Sequence, residues 1–61
     1  MRGFLIEARK EKGLSMDDIS KEIGIHKASY CNIENGRRNP SVDLAKRIAK
    51  FFGFSWTKFF E

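Results

Sequence analysis

The sequence predicts an all-α chain of five short helices, on three observations. A glycine, an apolar residue and a capping candidate recur together at Gly13-Leu14-Ser15, Gly24-Ile25-His26 and Gly53-Phe54-Ser55, with an apolar residue four places after each cap, at Ile19, Tyr30 and Phe59. Between these marks apolar residues return every three or four positions, and no stretch alternates as a half-buried strand does. Pro40, following Asn39, stops any helix arriving from before it, and Ser41 is placed to cap the next.

The first helix is expected over about 2 to 12, with Leu5 and Ala8 on one face and Gly13 beyond its end. Glycine tolerates the left-handed conformation that closes a helix, and the apolar residue after it can pack on the fourth residue of the next helix as a staple. The second helix, about 16 to 23, opens on Ser15 and Asp18, a capping box with aspartate in place of glutamate, and Asp17 and Asp18 suit the positive end of the dipole. The third, about 27 to 35, starts after His26, a poorer cap whose unprotonated ring nitrogen could accept an amide, and ends at the Asn35-Gly36 pair. The fourth, about 42 to 52, carries Ala45, Ile48, Ala49 and Phe52 inward and stops at Gly53. The fifth is expected over 56 to 60.

Sixty-one residues allow one domain, 1–61, and at this size folding hides only about 60 % of the chain's surface, so a deep catalytic pocket is improbable. A hydrophobic fraction of 41 % beside 33 % charged residues fits a folded globular chain rather than a disordered one. A single cysteine, Cys31, forbids an internal disulfide and suits a reducing cytoplasm. Charge returns at Glu7 after the three apolar residues of Phe4-Leu5-Ile6, too few for a signal-peptide core, and no membrane span is expected. The net charge of +4 and pI near 9.6 favour polyanions but decide little alone.

Only Gly24-Ile25-His26 separates the second helix from the third, and a three- or four-residue turn containing glycine is the helix-turn-helix connection. With Gly13-Leu14-Ser15, Ile19, Ile23-Gly24-Ile25, Ile48-Ala49 and above all the run Ile33-Glu34-Asn35-Gly36-Arg37-Arg38-Asn39-Pro40-Ser41, the chain from Leu5 to Phe60 resembles the phage repressor and Cro type of helix-turn-helix protein, the xenobiotic-response-element type of bacterial regulator. The resemblance implies a lambda-repressor-like five-helix fold and a commonly dimeric transcriptional regulator that lays its third helix in the major groove. It also implies base reading at the start of that helix and one turn later, here Lys27, Ala28 and Asn32.

Helical geometry supports the same face independently. With Tyr30 and Ile33 turned inward, Lys27, Ala28, Cys31 and Asn32 lie on the side open to a partner. Lys27 can donate to guanine, Asn32 can pair bidentately with adenine, and Ala28 offers a methyl to thymine. Backbone anchoring falls to Asn35, Arg37 and Arg38, with His26 and Ser41 at helix starts. The resemblance further implies an ion pair between Arg9 and Glu34 that turns Arg9 toward a phosphate. Two positions depart from the family pattern: Met16 stands where a hydrogen-bonding glutamine is usual, and His26 replaces the usual cap. Met16 leaves either fewer operator contacts or packing against sugar or another chain.

Plainer readings stand beside these. Basic side chains are solvated by default, and short ones such as Asn32 and Ala28 occupy exposed helix positions everywhere. Cys31 has no sequence neighbour that argues for a reactive thiol, and an inert one is the favoured reading. His26 and Cys31 fall short of the four ligands a structural zinc wants, and one histidine with serines at caps or within helices gives no catalytic triad, so neither metal, cofactor nor enzyme is expected. The aromatic run from Phe51 to Phe60 exceeds what one small core needs. Phe51, Phe54, Trp56 and Phe60 are candidates for self-association, favoured over membrane-surface binding because Lys58 is the sole cation among them. The first reading is a sequence-specific repressor of double-stranded DNA, acting as a homodimer on a pseudo-palindromic operator. The second is an antitoxin-like protein-interaction module that uses the aromatic C-terminus.

Overall fold

Local chemistry sets the helix boundaries in the computed structural model, which describes residues 1–61. The elements are α1 (Gly3–Glu11), α2 (Met16–Ile23), α3 (Lys27–Glu34), α4 (Val42–Phe52) and a closing 3-10 helix (Trp56–Phe60). Ser15 Oγ accepts from the Asp18 amide at 3.1 Å while Asp18 Oδ2 accepts from the Ser15 amide at 3.0 Å, a complete capping box. The bond from the Ser15 amide, with the Ser15 hydroxyl beside it, holds the Asp18 carboxyl below its ordinary pKa. Ser41 caps α4 in the same way, its Oγ accepting from the Leu44 amide at 3.1 Å. α2 ends at Gly24, whose φ of 87° is left-handed, and the amides of Gly24 and Ile25 both reach the Ser20 carbonyl.

The core gathers one stripe from each element. Leu5 of α1, Ile19 of α2, Tyr30 and Ile33 of α3 and Ile48 of α4 are essentially withdrawn from solvent, the four aliphatic side chains each contributing about 1.5–3 kcal/mol through burial. α2 packs on α3, while the 3-10 helix packs on α4 and lends Phe59 to the core. No helix is long and apolar enough to cross a membrane.

Three expectations need correction. The fold has four α-helices rather than five, because 56 to 60 forms a 3-10 helix, with the Lys58 amide bonded to the Ser55 carbonyl. Five residues close few 13-atom rings, and the tighter i→i+3 turn suits so short a segment. His26 and Ser55 occupy cap positions without capping: His26 makes no side-chain cap bond, and the Ser55 hydroxyl pairs with that of Thr57 at 2.8 Å instead.

Much of the aromatic surplus is absorbed internally. Phe54 stands among Phe4, Phe52 and Phe59 with ring centroids 5.4–6.0 Å away. Phe51 and Trp56 are half-buried, whereas Phe60 keeps 47 % of its surface exposed.

Candidate nucleic-acid interface

Seven of the eight residues of α3 fall on two opposite faces, with Ser29 half-buried between them. Tyr30, Ile33 and Glu34 are buried, while Lys27 and Ala28 are exposed and Cys31 and Asn32 half-buried on the opposite side. The outward set follows the i, i+1, i+4, i+5 spacing that keeps side chains on one strip of a helix. Asn35 Nδ2 donates to Cys31 Sγ at 3.3 Å, so this amide leans along the strip and the thiol is engaged.

His26 lies exposed just before α3, and Arg37 and Arg38 lie exposed just after it. The end of the helix is a Schellman turn: the Gly36 amide donates to Ile33 and the Arg37 amide to Asn32, with Gly36 at φ 81°. The two arginines therefore leave the helix in a fixed direction. Ser41 is exposed beyond them, its hydroxyl oxygen already committed to the α4 cap.

Behind this face the inward end of α3 is tied to α1 by charge. Arg9 Nε donates to Glu34 Oε2 at 3.0 Å and Nη2 donates to Oε1 at 2.9 Å, a two-pronged pair with the Glu34 side chain only 4 % exposed. Arg9 Nη1 also donates to the Leu14 carbonyl at 3.1 Å, whose own amide returns to Arg9 O. The bonds to Glu34 raise the Arg9 pKa despite desolvation. Tyr30 lies in the same seam. Burial, reinforced by the nearby Glu34 carboxylate, pushes its phenol above the ordinary range, yet no acceptor meets its hydroxyl in hydrogen-bonding geometry.

Met16, at the start of α2, is half-buried and packs against the protein's own core. Its thioether side chain fills an apolar gap where a glutamine would present an amide.

Two arginines that no local pattern singled out complete the surroundings. Arg47 of α4 donates to the carbonyl of Ile23 at the end of α2, and Arg2 donates to the carbonyl of Ile33 in the last turn of α3. Cations at helix C-termini satisfy orphan carbonyls and oppose the negative end of the dipole. Arg2, Arg9 and Arg47 thus hydrogen-bond inside the fold, whereas the side chains of Arg37 and Arg38 make no such bond.

The family profile described as Helix-turn-helix matches residues 5–59. An uncharacterized HTH-type transcriptional regulator of Bacillus subtilis, YqaF, is 46 % identical over 61 residues, covering 100 % of this chain and 80 % of that protein. An HTH-type regulator of Methanothermobacter thermautotrophicus is 38 % identical over 87 % of this chain and 77 % of its own length. The transcriptional repressor RstR of the cryptic phage CTXphi in Vibrio cholerae is 30 % identical over 77 % of this chain but only 42 % of its own length. No solved structure gives a significant match. These relatives span bacteria, archaea and a phage, so the kinship is broader than the phage repressor and Cro type alone. The chain belongs to the broad Cro/lambda-repressor-like family of helix-turn-helix transcriptional regulators.

Proposed function

We propose that the protein is a sequence-specific double-stranded DNA-binding repressor that reads the major groove with α3. The observation that carries this reading is the outward strip of Lys27, Ala28, Cys31 and Asn32, bracketed by exposed His26 on one side and Arg37 and Arg38 on the other. Lys27 donates to guanine, Asn32 pairs with adenine, and Ala28 and Cys31 present small surfaces to neighbouring bases. Phosphates are held by Arg37 and Arg38, with His26, Asn35, Ser41 and the outer edge of Arg9 as further anchors. Two copies joined through the aromatic C-terminus, with Phe60 and Trp56 at the seam beside Phe51 and Phe54, would present recognition helices to half-sites about 34 Å apart on a pseudo-palindromic operator.

Selection of bound sequences from a random duplex pool, followed by salt titration on the winner, tests the reading. Affinity should fall by ~0.9 log units per log unit of salt for each phosphate neutralised. Lys27→Ala and Asn32→Ala should relax preference at particular base pairs, whereas Arg37→Ala should weaken all sequences alike. Absent or salt-insensitive binding overturns it. The exposed Phe60 favours a second reading, an antitoxin-like interaction module, which a protein-binding chain with no affinity for DNA would support.

A further inference from the structure

Arg2 stands immediately before α1, at the N-cap position, and its contacts converge on one place. Its backbone amide donates to the Glu34 carbonyl at 2.8 Å. Its guanidinium donates through Nη1 to the carbonyls of Ile33 and, at 3.1 Å, Arg38, and through Nη2 to Asn39 Oδ1 at 2.5 Å. The same group lies over the Phe59 ring, 5.7 Å from its centroid. One side chain therefore spans the last turn of α3 and the 36–39 loop that carries Arg37 and Arg38. The residue ahead of Arg2 lies against the same loop at Gly36, where a Cβ would sit 3.0 Å from the Met1 backbone nitrogen.

The chemistry requires arginine. A planar fork with five N–H donors can serve three acceptors while its flat face rests on an aromatic ring, whereas a lysine ammonium is a compact point charge on a flexible stem. A loop ordered before binding loses less conformational entropy when its cations meet phosphates.

We propose that Arg2 is a positioning residue for nucleic-acid binding, fixing the 36–39 loop so that Arg37 and Arg38 reach the DNA backbone together. This rests on the reading of α3 as a DNA-recognition helix. Arg2 acts through the loop, with its donors turned to protein acceptors.

The test is a double-mutant cycle on the selected duplex, with Arg2→Ala and Arg2→Lys each placed in the wild-type chain and in an Arg37→Ala/Arg38→Ala background. Affinity is measured against salt at a temperature where circular dichroism shows each variant folded. In the wild-type background both Arg2 variants should lose roughly tenfold in affinity, within the range of coupled neighbours. The salt dependence should become shallower by ~0.9 for each phosphate that is no longer neutralised. In the Arg37→Ala/Arg38→Ala background neither should have any further effect. A purely structural role would lower the folded fraction and leave affinity per folded molecule and the salt slope unchanged, which overturns the proposal. Equal losses in both backgrounds, or full activity of Arg2→Lys, overturn it too. If Arg2→Ala does not fold, Arg2→Lys carries the same cycle. Failure of the wild-type chain to bind any duplex defeats the DNA reading and this proposal together, whereas wild-type binding that Arg2 variants leave intact defeats this proposal alone.

Discussion

The turn that leads into α3 is three residues long and closes largely on its own backbone, through Gly24 and Ile25 amides shared on the Ser20 carbonyl. The loop that leaves α3 also begins with a glycine turn, but its further course is held by Arg2, from 31 to 37 residues away in sequence. On the entry side a single distant side chain, Arg47, reaches in to one carbonyl. The N-terminal end of α3, which bears the proposed base readers, is thus set by local chemistry, and its C-terminal end, which bears the proposed phosphate anchors, by tertiary packing. Local devices form with the helix itself; long-range ones exist only once the segments that bear Arg2 and Arg47 have docked on α3 and α2.

The largest break in this comparison is expected at the seam behind α3. Arg9→Ala leaves the Glu34 carboxylate buried without its partner, and urea denaturation should show a loss of about 3 kcal/mol. Replacing the two glycines sharpens the contrast between the turns. Gly24→Ala should cost about 1–2 kcal/mol from the left-handed backbone alone, since its Cβ would lie at an ordinary 3.5 Å from Arg47 Nη2. Gly36→Ala should cost more in the same measurement, because backbone strain is joined by the 3.0 Å approach to Met1.

A purely local device should cost less. Ser15→Ala removes one half of the capping box and should destabilise by about 1 kcal/mol in thermal melts. Because the Asp18 pKa is lower folded than unfolded, the box contributes fully above the ordinary aspartate value of 3.8 and its contribution is lost as pH falls through the folded pKa. An acid titration of wild type against Asp18→Asn should show the difference only above that window.

The smallest effect is expected at Tyr30, with the opposite sign. Its hydroxyl is buried without a partner, so Tyr30→Phe should stabilise the protein by about 1 kcal/mol or less at neutral pH. The phenol pKa is higher folded than unfolded, so wild-type stability holds below the ordinary value of 10.0 and falls as pH rises past it. Denaturation midpoints of Tyr30→Phe between pH 8 and about 11 should fall less steeply, with this group's linkage removed.

The same division explains what was legible in the sequence. Ser15 with Asp18, Gly24, Gly36 and Ser41 act over a few residues, so spacing alone located their helix ends. The strip of Lys27, Ala28, Cys31 and Asn32 followed from the inward positions of Tyr30 and Ile33 by helical period. Arg2 and Arg47 left no such trace, because their acceptors are carbonyls far along the chain and every residue has one. Residues 56 to 60 were located but not typed: the apolar spacing that marks a helix does not distinguish five residues wound as α from five wound as 3-10.

The close approach of Met1 to Gly36 carries a practical consequence for handling the protein. Any residues attached ahead of Met1 begin their path against the loop that bears Arg37 and Arg38. On the proposed DNA reading, a purification tag fused there would lie beside the duplex and would lend or withhold charge of its own. Glu61 is exposed at the other terminus, so affinities from the two tag placements should differ, and a tag-free chain gives the reference for both.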